Sequence, residues 1–157
     1  MDSEKKQEFT RRISQANTTE LVVVIYDITL TYVEDAKQAM EAGDKQELRS
    51  LLVKIRRCLN ELIASLHYDY SPAGEMLMLY NYCSRRLTAV QTAQDADALP
   101  EIASILKRLR DAYDQVASTN ASGPVMSNSE SVYAGLTYGR GSLNEDVIGG
   151  SNRGFLA

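Results

Sequence analysis

The sequence predicts an all-α fold, an antiparallel up-and-down four-helix bundle, and three observations lead there. Between Thr18 and Val116, four stretches carry apolar residues at three- and four-residue steps. Polar residues suited to capping stand ahead of them. Beyond Ser118 the character changes: residues 120–157 hold seven of the nine glycines and only five charged residues. The expected organisation is a flexible N-terminal segment over 1–16, a helical body over 17–118 and a flexible Gly/Ser/Asn-rich tail over 119–157.

The first predicted helix opens at Asn17-Thr18-Thr19-Glu20, where Asn17 can accept a backbone N–H and Glu20 can reach back, as in a capping box. Leu21, Ile25, Ile28, Tyr32, Ala36 and Ala39 form its apolar stripe, and Gly43 suits a left-handed residue that ends it. Leu21-Val22-Val23-Val24-Ile25 also suits a buried strand, yet no partner strand of similar character occurs. Asp44 and Glu47 open the second helix, whose stripe runs from Leu48 through Leu51, Leu52, Ile55, Leu59, Leu62 and Ile63 to Leu66. Ser71-Pro72 places a hydroxyl before a proline at the first position of a third helix, with Met76, Leu79, Tyr80, Cys83, Leu87 and Val90 on one side. The fourth carries Leu99, Ile102, Leu106, Leu109, Tyr113 and Val116, with Asp95 or Asp97 as cap and Pro100 acceptable only in the first turn.

Charge and motif content narrow the function. Seventeen Lys plus Arg against 21 Asp plus Glu give a net charge of −4, which argues against nucleic acid or a membrane surface as main partner. No apolar stretch approaches a membrane span or a signal-peptide core, so a cytoplasmic protein is expected. Cys58 and Cys83 lack metal-ligand spacing and read as packed, reduced thiols. His67 is the sole imidazole, too little for a catalytic nucleophile–base pair or a di-iron bundle, and no glycine-rich phosphate loop is present. The expectation is no enzyme, no cofactor, no metal and no small-molecule substrate. Two other readings are a phosphotransfer module acting through His67 and a generic bundle adaptor for a folded partner.

A bundle helix needs one buried stripe, but the first predicted helix has a second at Val23, Tyr26, Leu30 and Val33, nearly opposite the first. The third helix repeats this with Met78 and Tyr82 beside Arg85 and Arg86. Two readings fit the pattern equally: a groove for another helix, or the wide core of a helix with two neighbours. The arginine pair is suited to the carbonyls or carboxylates of a bound segment. On the groove reading the partner-binding residues are Val23, Tyr26, Leu30, Val33, Met78, Tyr82, Arg85 and Arg86. In the tail, Ser131 to Tyr138 sets apolar residues in a polar stretch, a segment that shields the groove, is inert, or contacts a further partner.

Several segments resemble the FliS family of flagellar export chaperones. They are Glu20 to Asp27, Ala39 to Asp44, Leu62 to Leu66, Lys107 to Tyr113 and, most specifically, Leu79-Tyr80-Asn81-Tyr82-Cys83-Ser84-Arg85-Arg86-Leu87. The resemblance covers residues 13 to about 118 in order. It implies a cytoplasmic helical bundle that binds the disordered C-terminal segment of flagellin, prevents premature polymerisation and presents flagellin to the export gate, without a cofactor. It also implies an N-terminal cap displaced by flagellin, with Phe9 and Ile13 as the nearest counterparts. The chain departs from the pattern at Thr18, where proline is usual, in the shorter loop after the second helix, and in its long tail.

Overall fold

A computed structural model describes residues 1–69 and 71–119. It contains five helices, α1 (Ser3–Gln15), α2 (Thr18–Glu41), α3 (Lys45–Ala64), α4 (Ala73–Ala93) and α5 (Ala98–Ala117), and no strand among the described residues. The all-α class and the four expected helices are present, and Leu21 to Ile25 is helical. The expected tail, with the segment Ser131 to Tyr138, lies outside the described residues.

The sequence reading places no helix ahead of Asn17, yet α1 forms there. Its signals are sparse. The Asp2 carboxylate accepts the Lys5 N–H at 2.9 Å, and only Phe9 and Ile13, one turn apart, are buried. Two apolar residues in 13 make too thin a stripe to nucleate a helix in isolation, so docking must supply most of the stability of α1. The helix packs on α2 alone among the five.

At Asn17 the capping box is complete. The side-chain oxygen of Asn17 accepts the Glu20 N–H, and the Glu20 carboxylate accepts the Asn17 N–H, each at 2.9 Å. Gly43, at φ +70°, closes α2 with two backbone bonds, Asp44 N–H to the Ala39 carbonyl and Gly43 N–H to the Met40 carbonyl, the Schellman pattern. Asp44 then caps α3 by accepting the Glu47 N–H at 3.0 Å. Two expected caps differ. Pro72 sits at the N-cap of α4 with no side-chain hydrogen bond, one position earlier than expected, so Ser71 falls outside the helix. Asp97 likewise caps α5 without a side-chain bond, while Asp95 accepts the Asp97 N–H and Pro100 falls in the first turn.

Helix α2 packs against α3, α5 and α1, and α4 packs against α3 and α5. Cross-helix partners run in opposite senses: Arg86 meets Glu101 while Met76 meets Tyr113, so α4 and α5 are antiparallel. Backbones of α2 and α4 do not meet among the described residues. Their side chains do: the fully buried hydroxyls of Tyr26 and Tyr80 hydrogen-bond across the interior, and the Tyr113 ring of α5 lies 5.7 Å from that of Tyr26. Burial raises the pKa of both phenols, so each stays neutral and satisfies the other's hydroxyl. Among the described residues no buried side-chain polar atom lacks a partner. Cys58 and Cys83 are free and buried, and burial lifts both thiols to about 12.

Candidate partner-binding surface

The second stripe of α2 turns inward. Val23, Tyr26 and Val33 are buried and Leu30 is half-buried. Tyr26 faces Tyr80 and Tyr113, and the neighbouring Asp27 accepts a hydrogen bond from Arg110 of α5 at 2.9 Å, so this side of α2 is turned to α5. In the free chain the wide core, not an open groove, accounts for these four residues. Sequence alone left the two arrangements even, because periodicity gives the width of an apolar face but not what covers it.

On α4 the expected residues separate. Met78 is 71% exposed, Arg85 is exposed with its guanidinium 5.7 Å from the centre of the half-buried Tyr82 ring, and all three border solvent. Arg86 is engaged instead. Its Nε donates to Glu101 at 2.5 Å and its Nη1 to Asp95 at 2.8 Å, and the Tyr82 hydroxyl donates to the same Glu101 carboxylate. This network pins α4 to the start of α5. The hydrogen bond from Tyr82, then that from Arg86, holds Glu101 below its ordinary pKa, and Arg86 does the same for Asp95.

Two residues assigned to core stripes are on the surface: Leu79 is 37% and Val116 is 56% exposed. The antiparallel pairing explains Val116. It sets Tyr113 level with Met76, so Val116, three residues on, falls opposite Ala73, the first residue of α4, where that helix gives it little cover. With Met78 exposed and Tyr82 half-buried, Leu79 gives α4 an accessible apolar face; Leu79 and Val116 are the two that the stripe pattern mistook for interior.

The N-terminal residues Phe9 and Ile13 are buried against α2. Polar ties bracket them. Arg12 donates to Asp27 at 2.6 Å, and the Met1 ammonium donates to Asp35 at 2.6 Å. Asp27 therefore serves both α1 and α5, receiving Arg12 on one oxygen and Arg110 on the other. A surface cavity of about 400 Å³ opens where these helices meet, lined by Arg12, Ala16, Val23 and Ala117 among others.

His67 is exposed beyond the end of α3, and no group of three or more His, Cys, Asp or Glu among the described residues is placed to hold a metal ion. No described helix is long and apolar enough to cross a membrane.

The fold and its surfaces define an all-helical protein in which a thinly anchored N-terminal helix lies against a four-helix body. Residues 1–120 match the family described as flagellar protein FliS, and the chain belongs to that family. It is 27% identical over 103 residues to the flagellar secretion chaperone FliS of Bacillus subtilis (strain 168), an alignment covering 66% of this chain and 77% of the relative.

Proposed function

We propose that the protein is a cytoplasmic export chaperone, without catalytic activity, that binds the disordered C-terminal segment of flagellin, prevents its premature polymerisation and delivers it to the flagellar export apparatus. Helices α2 to α5 act as an up-and-down bundle that carries the bound segment. The observation that carries this reading is the attachment of α1, which rests on one helix through two buried residues and is held otherwise by polar ties. An element attached so lightly serves as a removable cover, and the apolar face it leaves behind is a site for another helix. Membership of the FliS family and the name of the relative support the same reading.

Flagellin contacts the face of Met78, Leu79, Tyr82 and Arg85, and reaches the side of α2 beneath Phe9 and Ile13 once α1 lifts. Val23, Tyr26, Leu30 and Val33 support these surfaces from within, and Arg86 holds α4 on α5. A disordered terminus wrapped over such surfaces could bury on the order of 2,000 Å² while losing several kcal/mol to its own ordering, so binding is tight but reversible.

Calorimetry tests this. Flagellin binds one to one with a negative heat-capacity change, and flagellin lacking its last ~40 residues, a length on the scale of coupled-folding interfaces, does not bind. Undiminished binding of the shortened flagellin would end the proposal.

A further inference from the structure

The arginines of the described residues fall into two groups. Arg12, Arg86 and Arg110 pair with carboxylates, whereas no ion pair engages Arg11, Arg49, Arg56, Arg57, Arg85 or Arg108. Three of these six lie on α3 and one, Arg85, lies close by on α4, while Arg11 and Arg108 stand apart on α1 and α5. Arg56 donates to Thr88 of α4 at 3.2 Å, which brings this side of α3 next to the turn of α4 holding Arg85 and Thr88. Arg49 and Arg56, seven residues apart, share one face of the helix about 10 Å from each other along its axis. Between them stands Val53, 50% exposed although it is a large apolar side chain.

Carboxylates are absent between Arg49 and Arg56, while Glu61 stands one turn on from Arg57. The acidic residues within α3, Glu47 and Glu61, share a seven-residue repeat with Lys54, whose ammonium lies 5.6 Å from the Tyr32 ring of α2, so they lie along the side turned to α2. Glu75, in the first turn, is the only acidic residue of α4. The result is a segregated positive patch with an apolar centre on a chain of net charge −4.

We propose that the face of α3 carrying Arg49, Val53 and Arg56 is a second docking surface, which borders the flagellin contact Arg85 but does not include it, and that its occupant is an amphipathic helix of another protein with carboxylates about seven residues apart around an apolar residue. Guanidinium forks suit carboxylates, which they hold bidentately. A long polyanion such as nucleic acid suits the face poorly, because it would run off the patch onto a surface that carries the excess negative charge. A short acidic helix matches the patch and ends with it. Val53 supplies the desolvated centre that gives such an interface its affinity, while the arginine rim supplies orientation and rate.

The test uses the full chain and a labelled helical peptide with two glutamates seven residues apart flanking a leucine, read by fluorescence anisotropy. The peptide binds, its glutamine counterpart binds at least about tenfold more weakly, and binding falls steeply with salt. The triple variant R49Q/R56Q/R57Q loses binding by a similar factor, and Arg49→Gln alone, at an exposed position, loses part of it. Circular dichroism and affinity for the flagellin C-terminal segment are unchanged in both. Four results would overturn the proposal: equal binding of the glutamine peptide, tighter binding of a short single-stranded oligonucleotide, loss of flagellin affinity in the triple variant, or a large gain in peptide affinity in E145Q/D146N, which would make the chain's own Glu145-Asp146 the occupant.

Discussion

Helices α1 and α2 follow one another in the chain but are held in opposite ways. Eleven of the 24 residues of α2 are buried, against three different helices, while α1 buries two of its 13 and touches α2 only. Removing α2 would remove the core; removing α1 would uncover one side of it. Burial on several sides makes an element's stability that of the whole fold, whereas burial on one side allows an element to open on its own. On the proposed function the same chain combines a body that stays closed with a cover that leaves.

The largest effect that could break this contrast is expected at Tyr26. Replacing it with Ala removes a fully buried ring and leaves the Tyr80 hydroxyl without its partner, so global stability should fall by about 3–5 kcal/mol. Denaturant melts check it, and a loss below about 1 kcal/mol would show that the buried side of α2 does not carry the stability of the whole fold.

Ile13→Ala should act differently although Ile13 is just as buried. The lost contacts belong to α1, so hydrogen exchange in residues 3–15 should rise sharply while the slowest amides of α2 to α5 keep their protection, with a global cost of no more than about 2 kcal/mol. A global loss equal to that of Tyr26→Ala would erase the distinction between cover and body.

The smallest effect concerns the charged rim that joins α4 to α5. Glu101 and Asp95 have folded pKa values below their ordinary ones, so the stability they contribute is present above the usual carboxylate range and is lost as pH falls through the lowered values. Wild-type protein should therefore lose more stability between about pH 5 and pH 3 than Arg86→Gln, in which the two carboxylates lack that partner. The difference should be small, because these groups border solvent. Identical acid profiles would show that the network positions α4 without stabilising it.

What could be read from residues alone follows from local physics. Asn17 with Glu20, Asp44 with Glu47 and the left-handed Gly43 declare the ends of α2 and α3 because a cap needs only its own few neighbours. The stripes declare four helices, and the all-α class with them, because a repeat near 3.6 residues is a property of the chain itself. Which apolar face meets which partner is settled only in three dimensions. Tyr26 reads equally as groove or core until α4 and α5 bring Tyr80 and Tyr113 to it, and Val116 reads as core until its place opposite the first residue of α4 leaves it exposed. Helix α1 is the extreme case. Its two apolar residues are too few to mark a helix by pattern, and the helix exists because α2 offers Phe9 and Ile13 a surface to bury against, a term that no window of sequence contains.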